Sequence, residues 1–81
     1  MTTKVTVAIF TDRHGDNDTR VYVTEALAKA WLYEISDELW ANELIAYPNR
    51  VRPENLDEAA QAILDTHECG FEWTTCDVIG A

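Results

Sequence analysis

The segment Glu25–Leu44 contains neither glycine nor proline, and Ala28, Trp31, Leu32, Ile35 and Leu39 recur within it at spacings of three and four. That period puts them along one stripe of a single long amphipathic helix. Thr24 just ahead suits an N-cap, and Glu25 places a carboxylate at the positive end of the helix dipole. In a chain of 81 residues, an element of this length dictates what can be built around it.

The flanking segments have a different period. Val5–Thr11 alternates, with Val5, Val7 and Ile9 against Thr6, Ala8 and Phe10. Thr19–Val23 alternates again, with Val21 and Val23 against Arg20 and Tyr22. Joined by the polar stretch Asp12–Asp18, which carries Gly15, they predict an antiparallel hairpin. After the long helix, Pro48, Asn49 and Pro53 mark a connection. A second helix is expected from about Glu54 to His67, burying Leu56, Ala60, Ile63, Leu64 and His67, with Gly70 ending it. Phe71–Val78 reads as a third strand. The order β-β-α-α-β predicts one α+β domain over residues 1–81, a three-stranded antiparallel sheet with both helices packed on one face. Val5, Val7, Ile9, Val21, Val23, Phe71 and Trp73 are expected on its core side, with Phe10 and Tyr22 on the other.

Formal net charge is −9, and the charge is segregated. Residues 1–29 set Asp12, Asp16, Asp18 and Glu25 against Lys4, Arg13, Arg20 and Lys29. From Pro53 onward come Glu54, Asp57, Glu58, Asp65, Glu68, Glu72 and Asp77, with no Lys or Arg. Such a surface repels nucleic acid and anionic membrane, and attracts proteins that bind them. The 47% hydrophobic content is that of a globular chain. No apolar run approaches the roughly 20 residues of a membrane-spanning helix. The N-terminus enters a strand pattern without a signal-peptide core, so a cytoplasmic protein is expected. Cys69 and Cys76, about 20 Å apart on an extended strand, are expected as free thiols.

Little here points to catalysis. Arg13-His14-Gly15 superficially resembles the strand-Arg-His-Gly entry of histidine phosphatases, but a strand follows at once, where that family continues into a much larger α/β domain. Asp12, His14, Asp16 and Asp18 are residues a hard cation accepts, yet their spacing departs from an EF-hand and suits an ordinary turn. His67, Glu68, Cys69 and Cys76 lack zinc-site spacing. No metal, cofactor or catalytic residue is expected, and the chain reads as non-enzymatic.

Binding surfaces are better represented. Glu54, Glu58, Gln61, Asp65 and Glu68 would share one face of the second helix, a stripe about 21 Å long at 1.5 Å per residue. Neighbouring carboxylates there lie roughly 5–6 Å apart between Cβ atoms, comparable to phosphate spacing on a nucleic-acid strand. The same stripe also suits a plain solvated face. On the first helix Tyr33, Asp37, Trp40 and Leu44 form a second line, shown to a partner or, with Trp40, packed under the Ile45–Pro53 connection or against the second helix; Tyr and Trp are frequent hot-spot residues.

Thr11–Trp31, with its Arg-His-Gly-Asp loop, Arg-Val-Tyr-Val strand and Thr-Glu-Ala-Leu-Ala helix start, looks like small reading frames of phages and mobile elements. The whole chain, compact, acidic and without catalytic motifs, is similar in size and charge to small phage inhibitors of the anti-CRISPR type. That resemblance implies a protein that occludes the basic DNA or RNA channel of a host complex, such as a CRISPR-Cas effector. Glu54, Asp57, Glu58, Asp65 and Glu68 would supply the attraction, and Tyr33, Asp37 and Trp40 the contact. The alternative is a small homodimeric or antitoxin-like interaction domain pairing through Phe10, Tyr22 and Arg20.

Overall fold

Strand register decides which residues share a face. In the computed structural model, which describes residues 2–79, the elements are β1 (Thr2–Thr11), β2 (Asn17–Tyr22), α1 (Glu25–Ala46), α2 (Leu56–Thr66) and β3 (Gly70–Ile79). The strands form one antiparallel sheet in the order β2-β1-β3. This is the predicted α+β arrangement. The hairpin turns as its composition requires: the Asp12 carboxylate accepts from the backbone N–H of His14 (2.8 Å) and Asp16 (3.0 Å), and Gly15 takes a φ of +86°.

Phe10 pairs with Phe71, Ala8 with Trp73 and Thr6 with both Tyr22 and Thr75. These residues therefore lie on one face, and that face meets the helices. Trp31 of α1 packs between Tyr22, at 6.2 Å between ring centroids, and Phe71, edge-on at 5.4 Å. The expected assignment is thus reversed for most of the sheet. Phe71 and Trp73 are on the core side as predicted, but Phe10 and Tyr22 join them, while Val5, Val7, Ile9 and Val21 turn away and Val23, past the end of β2, is exposed. The reason is that both faces are apolar, so alternation gives the period without the sign. The aromatic side, fitted around fully buried Ala8, supplies the larger contact with α1.

The Thr24 hydroxyl caps α1 by accepting from Leu27 N–H at 3.2 Å. Ala28 and Trp31 of α1 face the sheet, while Ser36, Trp40 and Glu43, also buried, lie along its far half. Tyr33 meets Asp57, Trp40 meets Ala59 and Glu43 meets His67, so the two helices run in the same sense. The connection returns alongside α1, pinned by Arg50 on Glu43 and Arg52 on Asp37. Trp40, Ala59 and Ile63 form the helix–helix core. Leu56, expected inside, is half exposed because the helix begins there, at the rim.

The Cα radius of gyration is 14.8 Å, against about 12 Å for a compact chain of this length. Beyond Thr6 the sheet narrows to a ribbon of β1 and β3 alone, which accounts for part of the elongation.

If the faces are as described, Ala8→Leu overpacks the α1–sheet contact and costs about 1–3 kcal/mol. Val7→Thr, on the uncovered face, costs less than about 1 kcal/mol. Urea denaturation separates the two, and the opposite order would contradict the assignment.

Candidate protein-binding surface

Asn55 starts α2, its side chain accepting from Glu58 N–H at 3.0 Å. Ala59, Ala60, Ile63 and Leu64 form the buried stripe, and Glu58, Gln61 and Asp65 the exposed one. Glu54 precedes the cap and Glu68 lies past the end. The expected five-residue stripe is therefore shortened to three helical positions, about 10 Å long, with one carboxylate at each approach. Gln61 donates from its amide to Asp65 at 2.9 Å.

Gly70 was expected to end this helix, yet it opens β3 instead. The turn falls two residues earlier, where Glu68 has a φ of +57°. Cys69 N–H donates to Leu64 C=O at 2.9 Å and Glu68 N–H to Asp65 C=O at 3.3 Å. This is a Schellman closure with glutamate at the position glycine usually takes. A left-handed non-glycine residue costs about 1–2 kcal/mol.

Glu54, Glu58, Asp65 and Glu68 are exposed, and among the described residues no Lys, Arg or His lies within 4 Å of their carboxylates. The other predicted site residues are engaged internally. Asp57 accepts from the Tyr33 hydroxyl at 2.7 Å and sits 3.8 Å from Lys29; Asp37 pairs with Arg52. Tyr33 is half-buried at this seam. Trp40 requires correction: it is 1% exposed, donates its indole N–H to Ala59 C=O at 2.8 Å, and carries the Arg50 guanidinium 4.9 Å from its ring centroid. It is a core residue and has no surface to offer. Arg20, Phe10 and Tyr22, the expected dimer contacts, sit on the helix-facing side, with Arg20 stacked 4.3 Å from the Trp31 ring centroid.

Glu43 was not singled out by the sequence reading. It is 6% exposed, accepting from Arg50 at 3.0 Å and lying 3.0 Å from His67 Nε2, while Arg50 also donates to Thr66 at 2.7 Å. The available signal was position: Glu43 lies three residues past Trp40, on the stripe that α2 covers.

Burial pushes the Cys69 thiol up from its ordinary pKa, and Cys76 is exposed. Among the described residues no three His, Cys, Asp or Glu side chains converge as metal ligands, and no helix is long and apolar enough to cross a membrane. No protein-family model matches the chain, and neither a curated protein nor a solved structure resembles it significantly.

Donating to Asp57 raises the Tyr33 pKa above the ordinary tyrosine value, with desolvation adding to the effect. Its folded-state pKa exceeds the unfolded one, so the contact contributes fully below about pH 10 and is lost as pH rises through the higher value. Ultraviolet difference titration of wild type against Tyr33→Phe should show this phenol ionising late. In an Asp57→Ala background it should return to the ordinary range; an unchanged midpoint there would contradict the assignment.

Proposed function

We propose that this chain is a non-enzymatic protein-binding module whose acidic surface docks on a basic, nucleic-acid-binding surface of another protein and blocks DNA or RNA from it, as inhibitors of the anti-CRISPR type do. The observation that carries the reading is the set Glu54, Glu58, Asp65 and Glu68, exposed carboxylates with no basic partner among the described residues. Arg20, Lys29, Arg50 and Arg52 are each set against a carboxylate outside this set, while Glu34, Glu38, Glu72 and Asp77 are further exposed acids with no base within 4 Å among the described residues. Two of the unpaired acids, Asp65 and Glu68, stand at the end of α2 where the helix dipole disfavours them, and Glu68 also holds a left-handed backbone. Charges placed against local stability are tolerated where the surface has another use.

Attraction of this kind acts over distance and is screened within about 8 Å at physiological ionic strength. Association with such a partner should slow steeply as salt is added, and nucleic acid should compete for the same surface. The test is capture of a nucleic-acid-binding complex from bacterial lysate by wild type and by a form with Glu54, Glu58, Asp65 and Glu68 all changed to Lys. Capture by wild type alone, reversed by added DNA or RNA, supports the reading. Equal capture by both forms, or an affinity indifferent to salt, contradicts it.

A further inference from the structure

The sheet is one strand narrower than the helical layer above it. Packed helices lie about 8–10 Å apart and strands about 4.8 Å apart, so two helices cover roughly four strands. Here α1 lies against all three strands, whereas α2 touches β3 alone. Between α2 and β3 runs a groove of about 330 Å³ walled by Leu32, Ala60, Leu64, Phe71 and Trp73, with Lys29, Asp57 and Gln61 at its rim. It opens between the helices and the helix-facing side chains of β3, whose outer edge is unpaired.

The other end of the sheet has the complementary defect. β2 pairs no further than Tyr22 with Thr6, and β1 and β3 continue as a ribbon through Val5–Cys76, Lys4–Asp77 and Thr3–Val78. Thr3, Lys4, Cys76, Asp77 and Val78 are exposed. A two-stranded ribbon is marginal by itself in water. β3 is moreover an edge strand of ten residues with no Lys, no Pro and no break in its register; of the devices that commonly blunt an edge it carries only the charges Glu72 and Asp77.

We propose that the groove takes the ribbon of a second copy of this chain: β3 pairs antiparallel with its mate about a two-fold axis at Thr75, giving a six-stranded sheet. Trp73 then stands opposite Asp77 of the second copy, and Thr74 opposite its Cys76. Each ribbon slides beneath the other chain's α2, so the uncovered segment of one copy meets the overhanging helix of the other. Asp77 lies on the helix-facing side with Trp73 and Thr75, which brings it to Lys29, whose ammonium is 6.0 Å from the Trp73 ring centroid. Lys4, one strand further out, runs along the α2 edge where Glu58 has no base. These opposite charges offset part of the repulsion between two chains of net charge −9.

The paired edge and covered ribbon bury roughly 800–1,000 Å² in total, at the low end of interface sizes, so a weak, concentration-dependent dimer is expected. The open sheet face of Val7, Ile9 and Val21 is also apolar, but nothing marks an occupant for it. The inference shares only Glu58 with the docking reading, since Glu54, Asp65 and Glu68 stay outside the paired edge.

Sedimentation of the whole chain, from low micromolar to near-millimolar concentration, should show a monomer–dimer equilibrium. Cys76 and its mate are diagonal neighbours about 7–8 Å apart, so a short bis-thiol reagent should join them and spare Cys69. Asp77→Lys and Lys29→Asp should each weaken the dimer about tenfold, and the two together should restore it. Amide exchange on wild type needs no substitution: β3 should gain protection as concentration rises. A monomer at every concentration overturns the proposal. So does a dimer abolished by Val21→Glu but indifferent to the charge exchange, which would place association on the open face.

Discussion

Two helices are broader than three strands, and most of this molecule's surface follows from that mismatch. α1 lies across all three strands, so α2 is left beside it, resting on α1 and β3. A helix held along one side presents the remainder of its circumference to solvent. Its exposed positions, Glu58, Gln61 and Asp65, and the flanking Glu54 and Glu68, are therefore displayed. The unpaired β3 edge below and the outward acidic face above have the same origin.

What holds α2 in place is then the contact between helices. Trp40 fills the space against Ala59 and Ile63, and its indole N–H satisfies a buried carbonyl. Beside it the Glu43 carboxylate takes Arg50 from the connection and His67 from the helix end. One side chain on α1 thus fixes both the return path of residues 47–55 and the far end of α2. Arg50 and His67 keep 31% and 29% of their side chains exposed, so the cluster is a partly solvated one and either base alone leaves Glu43 with a partner. The interaction stabilises by position more than by net attraction, since desolvating Glu43 consumes much of the Coulombic gain.

Period and punctuation made the elements legible: five segments, their order and the N-cap Thr24; the cap of α2, Asn55, lies one residue past the expected start and comes from the structure alone. What the pattern could not carry was direction. β1 is apolar on both faces, so Val5-Val7-Ile9 and Ala8-Phe10 were equally eligible for the core, and only the pairing of Phe10 with Phe71 decides. α1 is apolar around much of its circumference for a like reason, being placed between sheet and α2. Trp40 consequently read as a candidate contact although it is the centre of the helix pair. Glu43 was hidden because its partners are brought to it by the fold, Arg50 by the connection and His67 from 24 residues away. The acidic residues were found by composition, but their grouping was not: the helix ends at Thr66, and Glu68 adopts a conformation for which glutamate gives no sequence signal.

The carboxylates at the end of α2 are kept at a cost to the fold. Asp65 faces the negative end of the dipole, and Glu68 occupies a glycine position. The most direct measurement is the unfolding free energy of the Asp65→Asn, Glu68→Gly double variant, which keeps an acceptor for Gln61 and relieves the left-handed backbone. The account predicts a gain of about 1 kcal/mol over wild type. Equal or lower stability would mean that these carboxylates support the fold, and the case for a surface held for binding would fail.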